Sequence, residues 1–226
     1  MKQQLETTEP RHDALRVLIV DDHDLFRTGL RNLLEEQGLQ VIGEAAAGNE
    51  AVRSVRELAP DVVVMDLNMP GMTGVEATRQ ITAIAPLTRV LVLTISDQDS
   101  DVLDAILAGA CGYLLKDSSI QDLMTGIRAA SIGESLISPN IASKVLQRVR
   151  STSSVPAIAA TIRAELSDRE IEVLKLIANG KDNAMIAAEL HISPKTVKNH
   201  ISNILMKLQI DNRIQAAVYA VKSGIV

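Results

Sequence analysis

The 226-residue sequence has one cysteine, Cys111, one phenylalanine, two tyrosines and no tryptophan. A single thiol excludes an intrachain disulfide and a multi-thiolate zinc site, and it reads as a small buried hydrophobe. Three rings are too few for the stacking platforms that grip single-stranded nucleic acid. No stretch approaches the ~18 uninterrupted apolar residues of a membrane span, and Met1 to Ala14 lacks the apolar core of a signal peptide. The expectation is a cytoplasmic protein with no membrane partner. Internal repeats and low-complexity tracts are also missing.

What is there is ordinary for a folded protein: 46% hydrophobic and 23% charged residues, in a chain long enough for one or two domains. The net charge of -5 conceals a division. Residues 1–136 carry 11 basic and 21 acidic side chains, whereas residues 137–226 carry 12 and 7. Phosphate polyanions are repelled by the first part and can approach the second.

In the first part, apolar runs alternate with amphipathic stretches of helical length. Leu15–Val20, Gln40–Glu44, Asp61–Met65, Arg89–Thr94 and Gly112–Leu115 read as strands. Asp24–Gln37, Asn49–Leu58, Gly74–Ala83, Ser100–Leu107 and Ser119–Ser131 read as the helices after them. Runs such as Val17–Val20 and Val62–Met65 are apolar without alternation, the mark of parallel strands covered on both faces. The fold class is therefore α/β, a flavodoxin-like five-stranded parallel doubly wound sheet, followed by an all-α unit. Ser138-Pro139 opens a further helix to about Arg150, and the Ser/Ala-rich stretch Ser151–Ala164 reads as linker. The expected organisation is an extension at 1–14 without order, an α/β domain at 15–133, a linker at 134–165 containing a helix at 138–150, and a helical domain at 166–226.

Functional groups in a doubly wound sheet collect at the carboxyl ends of its strands. The first strand ends in Asp21-Asp22, the third in Asp66, the fourth at Thr94 and the fifth at Lys116. Three carboxylates at one edge repel one another unless a cation joins them. Mg²⁺ suits the task because it takes a few carboxylates, keeps waters and leaves room for a phosphoryl oxygen. The five residues together make a phosphoryl-transfer site, with Asp66 as nucleophile, Asp21 and Asp22 holding metal, and Thr94 and Lys116 stabilising the transferred group.

In order and spacing, residues 15–133 resemble the receiver domain of a two-component response regulator. The resemblance implies that a sensor histidine kinase donates its phosphoryl group to Asp66 in a Mg²⁺-dependent step. It further implies metal ligands at Asp22, Asp66, the main-chain carbonyl of Asn68, and Asp21 through water. Thr94 and Tyr113 match the pair whose rearrangement reports phosphorylation. Many receivers have Pro after the lysine matched by Lys116, where this chain has Asp117. An aspartyl phosphatase would need a general acid two residues after Asp66, and Asn68 cannot serve. A flavodoxin-like cofactor binder would need a phosphate-binding loop where the carboxylates stand.

In the second part, Asp168–Asn179, Asn183–His191, Pro194–Leu208 and Asn212–Ser223 read as a four-helix bundle. Ser167 with Glu170 forms a capping box, Gly180 stops the first helix, Ser193-Pro194 starts the third and Asp211 can cap the last. Val197, Ile201, Ile204, Leu205 and Leu208 form one stripe of the third helix, which turns Lys195, Asn199 and Ser202 outward and leaves Lys198 at the margin. Such a face suits a major groove. Residues from Leu166-Ser167-Asp168-Arg169-Glu170 through Thr196-Val197-Lys198, His200, Lys207-Leu208 and Arg213 resemble the LuxR-type helix-turn-helix. With the receiver in front, the whole is similar to a NarL/FixJ-type regulator.

That resemblance implies contacts to double-stranded DNA from Lys198, Asn199 and Ser202, with Lys195 and Lys207 on phosphates. Ala184 stands where relatives often carry Lys, and His200 reads as structural. The last helix offers Ile214, Ala217, Val218 and Val221 as a stripe that either seals its own bundle or pairs with a second copy in a homodimer. The expected activity is not enzymatic turnover but phosphorylation-gated transcriptional control. A DNA binder whose receiver is constitutively active or protein-regulated is the competing class.

Overall fold

The computed structural model describes residues 14–95, 99–134, 166–210 and 212–226. The expected disorder at 1–14 lies almost entirely outside these residues, and the expected linker helix at 138–150 wholly so. Five strands, β1 (Arg16–Val20), β2 (Gln40–Ala45), β3 (Val62–Met65), β4 (Arg89–Thr94) and β5 (Gly112–Leu115), pair in parallel in the order β2-β1-β3-β4-β5. Between and after them run α1 (Asp24–Glu36), α2 (Gly48–Leu58), α3 (Gly74–Ile84), α4 (Asp99–Leu107) and α5 (Ile120–Ser131). The expected elements agree to within a residue or so at each end.

The sheet is covered twice because alternate side chains of each strand leave by opposite faces. Val17 and Ile19 of β1 join Leu30 and Leu34 of α1 and Leu123 and Ile127 of α5. Leu18 and Val20 join Val52 and Val55 of α2 and Ala77 and Ile81 of α3. Each fully buried aliphatic side chain stabilises the domain by about 1.5–3 kcal/mol. Strand order reverses between β1 and β3, where Val20 pairs with Met65. The residues following those two are Asp21 and Asp66, so the topology brings the carboxylates to one crevice.

The helical unit comprises α6 (Asp168–Ala178), α7 (Asn183–Leu190), α8 (Pro194–Leu208) and α9 (Arg213–Lys222). Its starts are set by side-chain caps. Ser167 and Glu170 form the reciprocal box, Asp182 caps α7, and Ser193 accepts from Thr196 N with Pro194 in the first turn. Gly180 follows α6 with φ +76, the left-handed conformation glycine tolerates. The cap of α9 is Asn212 rather than Asp211, which lies outside the described residues. Asn212 Oδ1 accepts from Ile214 N and Gln215 N at 3.0 and 2.9 Å.

The stripe on α9 has a third destination that the sequence did not disclose. Ile214 and Val218 are buried in one cluster with Val102, Ala105 and Ile106 of α4 and Tyr113 of β5, with Val221 packed against it. Ala217 instead packs on the helical unit's own core. Two side-chain amides add directed bonds across this contact: Asn212 Nδ2 donates to Ala110 O and Gln215 Nε2 to Ile106 O, each at 3.0 Å. Asn183 Nδ2 donates to Glu134 Oε1, also at 3.0 Å. Among the described residues no helix is long and apolar enough to cross a membrane.

Candidate functional site

At the β1/β3 crevice the main chain sets the register of the acidic groups. Asp66 N donates to Val20 O at 2.8 Å, and Asp21 N to Ala45 O at 3.1 Å. Asp21 and Asp66 are each only 2% exposed, so neither charge can rely on bulk water. Lys116, carried by the end of β5, answers both. Its Nζ lies 2.5 Å from Asp21 Oδ2 and 2.7 Å from Asp66 Oδ2. Burial works to lower the Lys116 ammonium, but its bonds to Asp21 and Asp66 outweigh that and hold it above the ordinary lysine range.

The remaining carboxylate, Asp22, is half-buried. Its Oδ1 is 2.8 Å from His23 Nδ1, yet no hydrogen bond of acceptable geometry reaches that buried oxygen. His23 N donates to Asp21 Oδ1 at 2.9 Å. Oxygens of Asp21, Asp22 and Asp66, with a ring nitrogen of His23, lie within 4.8 Å of one another. Hard oxygen donors predominate, and one of them lacks a hydrogen bond. That donor set fits a divalent cation of the Mg²⁺ class.

Arg27 of α1 fastens the loop from below, donating Nη1 to Asp21 O at 2.7 Å and Nη2 to Asp24 Oδ1 at 2.7 Å. Arg31 and Arg27 both reach Glu44. The Arg31 bond, opposed by burial, holds the Glu44 carboxyl below the usual carboxylate range. On the other side, Asn68 N donates to Asp66 Oδ1 at 3.3 Å. No general acid stands at that position, so the crevice can accept a phosphoryl group more readily than hydrolyse one.

Thr94 and Tyr113 are both fully buried. Thr94 ends β4, and its carbonyl accepts from Lys116 N at 2.9 Å. Tyr113 faces the cluster shared by α4 and α9. The structure brings Asp21, Asp22 and Asp66 together with Lys116, sets Asn68 N against Asp66, and leaves Thr94 at the end of β4 beside Lys116 and Tyr113 within β5. Sequence spacing did not single out His23 and Arg27. Adjacency to the acidic pair was a signal for His23. Arg27 reaches the loop through contacts that sequence spacing does not encode.

In the helical unit Lys195, Lys198, Asn199 and Ser202 are exposed on α8, and His200 is half-buried beside the apolar stripe. Lys207 is already engaged, its Nζ 2.7 Å from Glu170 Oε2. Lys198 and Ser202 border a cleft of about 210 Å³ between the two units, opposite Arg89, Cys111 and Glu134 of the receiver side. The Cys111 thiol donates to Val90 O at 3.2 Å and burial pushes its pKa up to about 12, which makes it an inert core group.

Comparison with known proteins assigns both units. Residues 17–128 match the family described as response regulator receiver domain, and residues 164–220 match bacterial regulatory proteins of the luxR family. The transcriptional regulatory protein LiaR of Bacillus subtilis is 47% identical over 213 residues, which is 94% of this chain and 99% of that protein. The response regulator protein VraR of Staphylococcus aureus is 41% identical over 94% of this chain and 99% of its own. Among solved structures, response regulator ChrA of a heme-sensing two-component system shares 37% identity and a TM-score of 0.51, covering 94% of this chain and 99% of that one. A LuxR-family response regulator from Aurantimonas shares 40% identity and a TM-score of 0.56, covering 60% and 97%. With both of its units matched and its relatives aligned nearly end to end, this chain belongs to the NarL/FixJ-type two-component response regulators, phospho-accepting transcription regulators rather than enzymes.

Proposed function

We propose that Asp66 is the phosphoacceptor and that charging it frees the LuxR-type unit to bind double-stranded DNA. The observation that carries this reading is the ammonium of Lys116 bridging two nearly buried carboxylates at the strand switch point. An Asp66 oxygen attacks the phosphorus of a phosphohistidine on the sensor kinase. The P–N bond breaks as the P–O bond forms, and the imidazole leaves to be protonated. Asp21, Asp22, Asp66 and the Asn68 carbonyl would hold Mg²⁺, which when bound supplies positive charge against the phosphoryl oxygens. Lys116 and the Thr94 hydroxyl take up the rest of that charge.

The link to DNA follows from the packing. Tyr113 lies in the same cluster as Ile214 and Val218, so movement of Tyr113 after Thr94 engages the phosphoryl group would disturb the seat of α9. While α9 is seated, Lys198 and Ser202, though exposed, border the interdomain cleft, so the receiver side stands beside the face a groove would have to approach. Release presents Lys195, Lys198, Asn199 and Ser202 to DNA. Lys207 can join on phosphates by leaving Glu170. Release also uncovers Ile214, Val218 and Val221, which suits a homodimer on a symmetric operator. A regulator coupled in this way to chromosomal DNA works in the cytoplasm.

Labelling with acetyl phosphate or beryllofluoride tests the reading. Incorporation should require Mg²⁺, vanish in Asp66→Ala and raise operator affinity in the native protein. Absence of labelling, or DNA affinity indifferent to it, would reject phosphorylation gating in favour of a constitutive or protein-regulated DNA binder.

A further inference from the structure

Phe26 is the chain's only phenylalanine. It projects from the first turn of α1, partly buried against the core cluster beneath β1 and α5. Lys116 Nζ stands 4.5 Å from the centroid of its ring, inside the ~6 Å range over which a ring face attracts a cation. The Lys116 side chain is 11% exposed, so this attraction operates with little water to weaken it. The ammonium is therefore bounded by two carboxylate oxygens and one π face.

These three contacts differ in what happens to them when the site is charged. Asp21 Oδ2 and Asp66 Oδ2 are the oxygens Lys116 now occupies, and they belong to the groups that must also serve a divalent cation and accept a phosphoryl group. A lysine held by them alone loses its anchors when it is needed to meet the incoming phosphoryl oxygens. The Phe26 ring competes for neither. It offers no lone pair to a metal, and its negative face, the part that would repel a phosphate, is turned to the ammonium. Its own position is fixed by the core behind it rather than by the site in front.

We propose that Phe26 is a positioning residue for Lys116, keeping the ammonium at the acceptor edge in both the uncharged and the phosphorylated protein. The proposal rests on the reading of Asp66 as acceptor and Lys116 as a phosphoryl ligand. An aliphatic side chain such as Leu at 26 would fill most of that volume without attracting the cation. The lysine would then be placed only by the carboxylates, and an acid site loaded with metal would leave it free to swing into solvent.

The full-length protein serves for the test, with Phe26→Leu removing the π face and Phe26→Tyr retaining it. Beryllofluoride affinity at saturating Mg²⁺ should fall about three- to tenfold in Phe26→Leu, remain within about twofold of native in Phe26→Tyr, and be unaffected by Phe26→Leu in a Lys116→Met background. In NMR spectra the Lys116 ε-methylene protons should be displaced upfield by the ring current, both free and with Mg²⁺ and beryllofluoride bound, and the displacement should disappear in Phe26→Leu. An equal loss with or without Lys116 would reduce Phe26 to a packing residue, as would a Tyr variant no better than Leu. Loss of the ring-current signature on loading would overturn the two-state role. If native protein bound no beryllofluoride, or Lys116→Met bound it normally, the reading of the site itself would fall and this proposal with it.

Discussion

The side-chain amide of Asn212 donates to the main-chain oxygen of Ala110, 3.0 Å away and 102 residues earlier in the chain. The same residue's Oδ1 caps α9, so one amide both starts the last helix and fastens it to the receiver. Gln215 repeats the fastening at Ile106 O without any capping duty. Gln215→Ala is therefore the cleaner probe of the contact. A buried hydrogen bond is worth about 0.5–1.5 kcal/mol, so uncharged Gln215→Ala should bind operator DNA about two- to tenfold more tightly than native protein by fluorescence anisotropy. Unchanged affinity would mean that the seat of α9 does not restrain DNA binding.

Gly74 opens α3 directly behind Asp66. A Cβ built there would lie 2.0 Å from Asp66 O and 2.7 Å from Leu67 Cα, backbone atoms that cannot rotate aside. Gly74→Ala must shift either α3 or the loop that carries Asp66. It should destabilise the protein by about 1–3 kcal/mol in urea unfolding and lower acetyl phosphate labelling even where the protein remains folded. Native labelling kinetics in Gly74→Ala would show that the loop position is not critical.

What the sequence disclosed and what it hid divide along physical lines. Strand ends at Asp21, Asp66, Thr94 and Lys116 were legible because an apolar parallel strand stops abruptly at its first polar residue, and the doubly wound topology sends all such ends to one edge. Caps at Ser167 and Ser193 were legible because a cap bonds only to its own helix. Asn212 was missed in favour of Asp211 because local propensity does not separate two neighbouring Asx residues. The distinction lies 102 residues away: an amide can donate to Ala110 O and a carboxylate cannot. For the same reason the α9 stripe left two partners open and found a third. Lys207 looked free for phosphates because its ion pair with Glu170 spans 37 residues.

Glu170 gives the fold a pH dependence of known sign. Burial works to raise its carboxyl, but Lys207 and Ser167 outweigh that and hold it below the usual carboxylate range. A depressed folded-state pKa contributes stability that is present above the unfolded value, about 4.3, and is lost as pH falls through the folded one. Glu170→Gln keeps a capping-box side chain while removing the charge. Native protein should exceed it in urea midpoint at pH 7 by an amount equivalent to about 1 kcal/mol, since Lys207 is one-third exposed. The gap should close as pH falls below about 4.3. A gap independent of pH would assign the difference to packing.

On the proposed function, Lys198 separates DNA contact from phosphoryl chemistry. It is exposed on α8 at the edge of the interdomain cleft, far in the chain from every group at the acceptor edge. Lys198→Ala should weaken operator binding and reduce the slope of log affinity against log salt by about one, with beryllofluoride uptake unchanged. Native DNA affinity and salt slope would remove Lys198 from the DNA face.

The cleft that Lys198 and Ser202 border is formed with the receiver, so on the proposed function DNA and the closed arrangement compete for one face. Two ligands that favour one open state must help each other, and the factor is the same in both directions. Whatever increase in operator affinity beryllofluoride produces, saturating operator DNA should produce in beryllofluoride affinity, while DNA lacking the operator should produce less. The comparison requires both titrations at one salt concentration, since phosphate contacts make the DNA arm strongly salt-dependent. Agreement of the two factors follows from linkage whatever the route; Gln215→Ala should shrink both together by loosening the seat of α9 in advance, and that joint loss would place the coupling there. If DNA left beryllofluoride affinity untouched while beryllofluoride raised DNA affinity, the apparent gain would have to come from a process outside the two binding equilibria, and the shared open state would be ruled out.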